Sequence, residues 1–137
     1  MADKDDAAGA DPGLAWYEYV SQSRQAAAVD TPFRTVGVTD FVFGTVWPRP
    51  GLDARTRRFV SLTCAAMGSA QLATRSLIYS SLKSGDITLE EMREFVLHFA
   101  VYAGWPKAAA IDGEVTAAWE RVESEGGPGT GTPRPAS

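Results

Sequence analysis

The side chains best suited to moving a proton fall in one run, Thr88 to Pro106, which reads T-L-E-E-M-R-E-F-V-L-H-F-A-V-Y-A-G-W-P. His98 is the chain's only histidine, and imidazole is the side chain whose ordinary pKa lies nearest physiological pH. At about 100° per residue in a helix, His98 shares a flank with Glu91, Glu94 and Tyr102, not with Phe99 and Ala103. A histidine so placed either donates a structural hydrogen bond or serves in proton transfer and substrate orientation. Tyr102, one turn later, can bond across the same flank or pack there. Arg49 stands between two prolines in W-P-R-P-G-L. A guanidinium in so stiff a frame suits bidentate binding of a carboxylate, as well as a solvated loop charge or an ion pair between subunits. Arg57 near a helix start faces the wrong end of the macrodipole, which favours a salt bridge to another subunit. Cys64 is the only cysteine. Within the apolar L-T-C-A-A-M-G it reads as a small core residue whose thiol burial would make harder to ionise.

The elements that must position these groups are helices. Thr88 and Glu91 have capping-box spacing, Ile87 can staple onto Met92, and Met92, Phe95, Val96, Phe99 and Ala103 form one apolar stripe. Gly104 offers a left-handed stop and Pro106 cannot continue that helix. Earlier, Leu14 to Ala28 reads as a helix with Trp16, Tyr17 and Val20 on its apolar face. A second helix runs from about Pro32, capped by Asp30 or Thr31, to Gly44. Trp47 to Gly51 is a loop on a forced path. Asp53 caps a helix whose body, Thr56 to Met67, is apolar nearly all round and therefore expected to be buried on several faces. Gly68 and Ser69 break it. Ala70 to Ser84 is the next helix, stopped at Gly85, and Lys107 to Glu123 is the last. No segment alternates as a strand would, so the fold is expected to be all-α with about six helices. Residues 14–124 read as one helical domain, and residues 1–13 and 125–137, rich in Gly, Pro, Asp and Thr, as flexible tails.

Two segments carry a family likeness. Phe43 to Arg57, F-G-T-V-W-P-R-P-G-L-D-A-R-T-R, together with L-H-F-A-V-Y-A-G-W-P, resembles the carboxymuconolactone decarboxylase family of the alkylhydroperoxidase (AhpD)-like superfamily. The matching residues are Gly44, Val46, Trp47, Arg49, Pro50, Gly51, Leu52, Thr56, Arg57, Gly85, His98, Tyr102, Gly104 and Pro106. The resemblance implies an AhpD-like helical bundle, a homotrimer or homohexamer, and a site near subunit contacts. Several helices here also carry more apolar surface than one small domain can cover.

The family divides between two chemistries. The peroxidase branch uses a Cys-x-x-Cys pair, a low-pKa thiolate with a resolving thiol. With Cys64 alone, dithiol peroxidase activity is disfavoured. The decarboxylase branch reads G-E-V-W in the loop and E-L-x-x-H in a middle helix. Here Thr45 replaces the first Glu, and alignment on Gly85 puts Leu77 at the His position and Ala73 at the Glu position; a one-residue slip puts Ser76 at the His position. The pocket is thereby less charged, and Tyr79 adds an aromatic ring. The resemblance then implies His98, Tyr102 and Arg49 as catalytic groups, with Trp47, Thr45, Arg57, Leu77 and Tyr79 as substrate-binding ones.

The leading expectation is a cofactor-free lyase or isomerase acting by proton transfer on an apolar carbonyl- or lactone-containing metabolite. One alternative is a non-catalytic oligomeric binding or scaffold protein that kept the fold. A second is a true 4-carboxymuconolactone decarboxylase. A net charge of -4 argues against nucleic acid or an anionic membrane as partner. Met1 to Gly13 lacks a positive n-region and an apolar h-region, and no apolar run approaches the length of a membrane span, so a soluble, cytoplasmic protein is expected.

Overall fold

The computed structural model describes residues 11–24 and 30–136. They form six helices and no strand, the all-helical architecture expected of an AhpD-like fold. They divide into two compact units at Gly51–Leu52, with residues from Thr132 onward belonging to the first. On sequence alone, one domain runs through that junction.

In the first unit, α1 spans Pro12–Ser21. The Asp11 carboxylate accepts hydrogen bonds from the backbone N–H groups of Gly13 (2.9 Å) and Leu14 (3.3 Å), and Pro12 occupies the first helical position. This Asp-Pro pair starts the helix earlier than expected, inside the segment read as a tail. The helix also ends earlier, at Gln22 with φ 52°; residues 25–28, the end of the expected helix, lie outside the described residues. The Gln22 side-chain amide donates to the carbonyls of Tyr19 (2.7 Å) and Thr132 (2.8 Å).

The next helix, α2, spans Phe33–Val46, two residues beyond the expected Gly44, and is wound wide. Its last turn closes from the Trp47 N–H to the Val42 carbonyl at 3.0 Å, five residues back in place of four. Such winding is rare and occurs often at functional sites. Helices α1 and α2 pack at close range through Gly13, where an added Cβ would lie 2.2 Å from the Thr39 carbonyl oxygen. Tyr17 meets Phe43 edge-on at 5.4 Å and Phe43 stacks on Trp47 at 6.0 Å.

The second unit holds the hydrophobic core. It is built from α3 (Ala54–Met67), α4 (Gln71–Ser84), α5 (Leu89–Ala103) and α6 (Trp105–Ser124). Helix α6 packs on both α4 and α5, and α3 packs on α4. Leu62, Ile78, Leu82, Ile87, Met92, Val115 and Val122 are fully buried between them.

Local chemistry sets the boundaries. The Asp53 carboxylate accepts the Thr56 N–H at 2.7 Å and starts α3. Gly85, at φ 80°, closes α4 in the left-handed region. The Thr88 hydroxyl accepts from Glu91 N–H (3.1 Å) while the Glu91 carboxylate accepts from Thr88 N–H (3.3 Å), completing the capping box. Gly104 was expected in the left-handed helical region. It has positive φ but extended ψ (101°, 151°), a region only glycine enters readily. It ends α5 and turns directly into α6, so Pro106 opens a helix as well as excluding a longer α5.

Two further expectations are corrected by the packing. Helix α3 is not buried on several faces: Ala54, Arg58, Leu62 and Ala66 face the core, while Val60, Thr63, Cys64 and Met67 are exposed. Arg58, in the run of arginines that opens α3, is fully buried, and its Nε donates to Asp86 at 2.7 Å. The segment after Ser124, expected to be a flexible tail, folds back on α4. The Lys83 ammonium donates to the Glu125 carbonyl (3.1 Å) and the Thr130 hydroxyl (2.7 Å), and Gly129 N–H donates to the Lys83 carbonyl (2.8 Å). No helix among the described residues is long and apolar enough to cross a membrane.

Candidate functional site

The capping box fixes where α5 begins, and 3.6 residues per turn then fix which of its side chains share a flank. Met92, Val96, Phe99 and Ala100 go to the core. Glu91, Glu94, Phe95 and His98 are left to form one wall of a groove of about 640 Å³. The facing wall is the side of α3 turned away from the core: Arg55, Phe59, Val60, Thr63 and Cys64.

Aromatic rings give the groove its apolar floor. Phe59 and Phe95 lie there 5.8 Å apart, and behind Phe95 the core ring of Phe99 lies another 5.8 Å away. Arg55 lies over the Phe59 ring at 5.7 Å and forms an ion pair with Glu91. The Glu91 carboxylate thus closes the capping box and holds a guanidinium at the groove's edge.

His98 is exposed and lines this groove and also an adjoining hollow of about 330 Å³, shared with Thr63, Met67, Phe95, Phe99, Tyr102 and Ala103. Its ring lies 5.3 Å from that of Tyr102, centroid to centroid. Tyr102 is itself 82% exposed. The arrangement offers a titratable imidazole over an apolar floor, carboxylates one and two turns before it, and one guanidinium. Among the described residues, no group of three or more His, Cys, Asp or Glu side chains is gathered so as to hold a metal ion.

The structure therefore brings together His98 and Tyr102 of the residues singled out from sequence, and separates others from them. Leu77 packs against the core. The Tyr79 hydroxyl donates to Glu125 at 2.6 Å with the Arg121 guanidinium over its ring at 3.9 Å, so it belongs to the α4–α6 contact. Neither lines the His98 groove, because alignment to a motif locates a position along α4 but not the side it turns to the core. Arg57 turns back to its own helix start, where its Nε donates to the Leu52 carbonyl at 3.2 Å.

Thr45, Trp47 and Arg49 belong to the first unit. There the Thr45 hydroxyl donates to the Asp40 carbonyl at 2.9 Å, Trp47 is buried against Phe43, and Arg49 is exposed on its loop.

Cys64, expected in the core, lines the groove and is exposed. Arg55 and Phe59 were not singled out. The available signal was the second apolar stripe of α3: a helix apolar all round, in a chain this short, has a face left over to line a site.

Comparison with known proteins agrees with this architecture. Residues 37–117 match the model of the carboxymuconolactone decarboxylase family. The nitrosuccinic acid decarboxylase of Metarhizium robertsii is 38% identical over 92 residues, 65% of this chain and 62% of that protein. The 4-carboxymuconolactone decarboxylase of Acinetobacter baylyi is 32% identical over 73 residues, 53% of this chain and 54% of that protein. In both cases the match spans less than two thirds of the relative's own length. The family match runs from within α2 through most of α6 and takes in His98, Tyr102 and the whole groove, and on that extent the chain belongs to the carboxymuconolactone decarboxylase family.

Proposed function

We propose that the chain is a decarboxylase, a carbon–carbon lyase working at the groove between α3 and α5. The observation that carries this reading is that the chain's only histidine opens onto an aromatic-floored groove that also holds a guanidinium, Arg55. That both relatives are decarboxylases supports it. The substrate carries a carboxylate on a carbon next to an electron-accepting group, such as a conjugated lactone or a nitro group. The bond from that carbon to the carboxylate breaks and carbon dioxide leaves. The electron pair stays on carbon, delocalised into the acceptor. His98 as imidazolium then delivers a proton to the carbanion and is reprotonated from solvent. Because the acceptor is part of the substrate, the reaction calls on no further electron sink.

The aromatic floor favours this chemistry by removing water from the leaving carboxylate, whose charge is lost as the neutral gas departs. Glu94, one turn before His98 on the same wall, can accept from the ring and set its orientation. Tyr102, on the other side of His98, can hold the oxyanion of an enolate.

The test is carbon dioxide release from 4-carboxymuconolactone and from nitrosuccinate by the purified chain, followed in a single turnover. Turnover of either is expected, with His98→Gln lowering its rate about 100-fold or more, the range of general-acid catalysis. Turnover unchanged in His98→Gln would remove the imidazole from the mechanism. No turnover of any carboxylated acceptor by well-folded protein would leave the non-catalytic binding role.

A further inference from the structure

We infer that Arg55 selects the substrate: it binds a second carboxylate, one that is not lost, at the end of a long apolar acid whose reacting carbon lies at His98. This rests on the reading of the groove as a decarboxylase site. Among the described residues lining the groove, Arg55 is the one arginine and there is no lysine. It is half-exposed, and its partner Glu91 is a carboxylate on the opposite wall. Glu91 thus already occupies the position of a bound carboxylate, and a substrate carboxylate can take its place on the guanidinium. Glu91 keeps its bond to Thr88 N–H when Arg55 leaves it, so the exchange does not cost the start of α5.

The length of the substrate follows from the helix. Glu91 and His98 are seven residues apart on one flank of α5, which at 1.5 Å per residue separates them by roughly 10 Å. Between them lie Phe95 on the same helix and Phe59 and Val60 opposite. A short dicarboxylate, such as the two named for the turnover assay, reaches His98 without touching Arg55. An acid with a ring or rings between its anchoring carboxylate and its reacting carbon spans the distance and covers the aromatic floor.

Charge also orients the ligand. With Glu91 and Glu94 on one wall, the groove's negative side chains outnumber Arg55, so a carboxylate is held only where Arg55 reaches it. The carboxylate that leaves sits nearer Glu94 and His98, where no guanidinium stabilises it.

The experiment uses His98 as its own reporter. Because it is the only histidine, its ring protons give an unambiguous NMR signal, read with no turnover. Biphenyl-4-carboxylate and its neutral amide are titrated into the full chain and into Arg55→Met, Arg55→Lys and Glu91→Gln. The acid is expected to shift the His98 signals saturably and to bind about tenfold or more tightly than the amide, the range for a charged hydrogen-bonded contact. Arg55→Met abolishes that preference, Arg55→Lys keeps part of it, and Glu91→Gln, which preserves the capping box, strengthens acid binding. Equal binding of acid and amide, no binding of either, or an Arg55→Met chain that keeps the preference overturns the assignment. Loss of decarboxylation in the assay above with this preference intact would instead overturn the reaction and leave Arg55 as a carboxylate-binding residue.

Discussion

The charge furthest from solvent in the second unit is Arg58. Its guanidinium is fully buried, with Nε on the Asp86 carboxylate at 2.7 Å and Nη1 on the Ser80 hydroxyl at 3.3 Å. Burying an ion is costly unless partners replace its water, so the two sides of this pair should respond unequally. Asp86→Asn leaves a buried cation facing a neutral amide and is expected to destabilise the fold by about 3 kcal/mol. Arg58→Met keeps the volume, removes the buried charge and leaves Asp86 with partial access to water, so it should cost clearly less. Urea unfolding of the two variants checks this. Equal losses would mean that leaving the buried cation unpaired carries no penalty beyond the lost pair itself. The pair also explains why three arginines gather at the start of α3 against the macrodipole: Arg55 faces the groove, Arg57 caps its own loop, and Arg58 ties α3 to the α4–α5 turn.

At the scale of elements, the C-terminal clasp has a pH signature that can be worked out in sign. Burial, helped by the hydrogen bond to Glu125, pushes the Tyr79 hydroxyl from 10.0 up to about 12. Its contribution is therefore whole below about pH 10 and is lost as pH climbs through about 12, since the unfolded chain ionises first. The same hydrogen bond, with Arg121 and Lys83 nearby, holds the Glu125 carboxyl below its ordinary 4.5. That contribution is present above 4.5 and fades as pH falls through the lowered value. Tyr79→Phe should flatten both the acid and the alkaline shoulders of a urea-midpoint profile. A profile unchanged at both ends would show that the clasp does not couple to folding.

The sequence showed the helices of the second unit through their ends, because Asp53, Thr88 and Gly85 act on their nearest neighbours and need nothing distant. It showed His98, Glu91, Glu94 and Tyr102 on one flank for the same reason. It could not show that Cys64 and Thr63 face outward, since which side of an all-apolar helix is buried depends on where α4 lies. Nor could a Gly-Pro-Gly-Thr run look like anything but a tail, when what orders it is the buried amine of Lys83 and its need for acceptors.

At the scale of the whole molecule, the apolar surface left around the groove bears on assembly. Tyr102, Val101 and Leu97 on α5, and Trp105 at the start of α6, are exposed well beyond what isolated surface side chains require, and Val60 and Met67 continue the patch on α3. Contiguous apolar surface of this kind marks an interface. We propose that further copies of this chain cover it, as the homotrimer or homohexamer that the family resemblance implies. Light scattering after size exclusion should then give three or six times the 14.7 kDa chain. Leu97→Glu with Val101→Glu puts like charges at the centre of a closed interface, where symmetry repeats them in every copy, and should release smaller species. Because His98 and Tyr102 border the same patch, dissociation should lower turnover while Arg55 still binds its carboxylate probe. A monomer at the concentrations used for the assays would show that the exposed face serves something other than self-assembly. A stable oligomer that tolerates both glutamates would place the interface elsewhere on the chain.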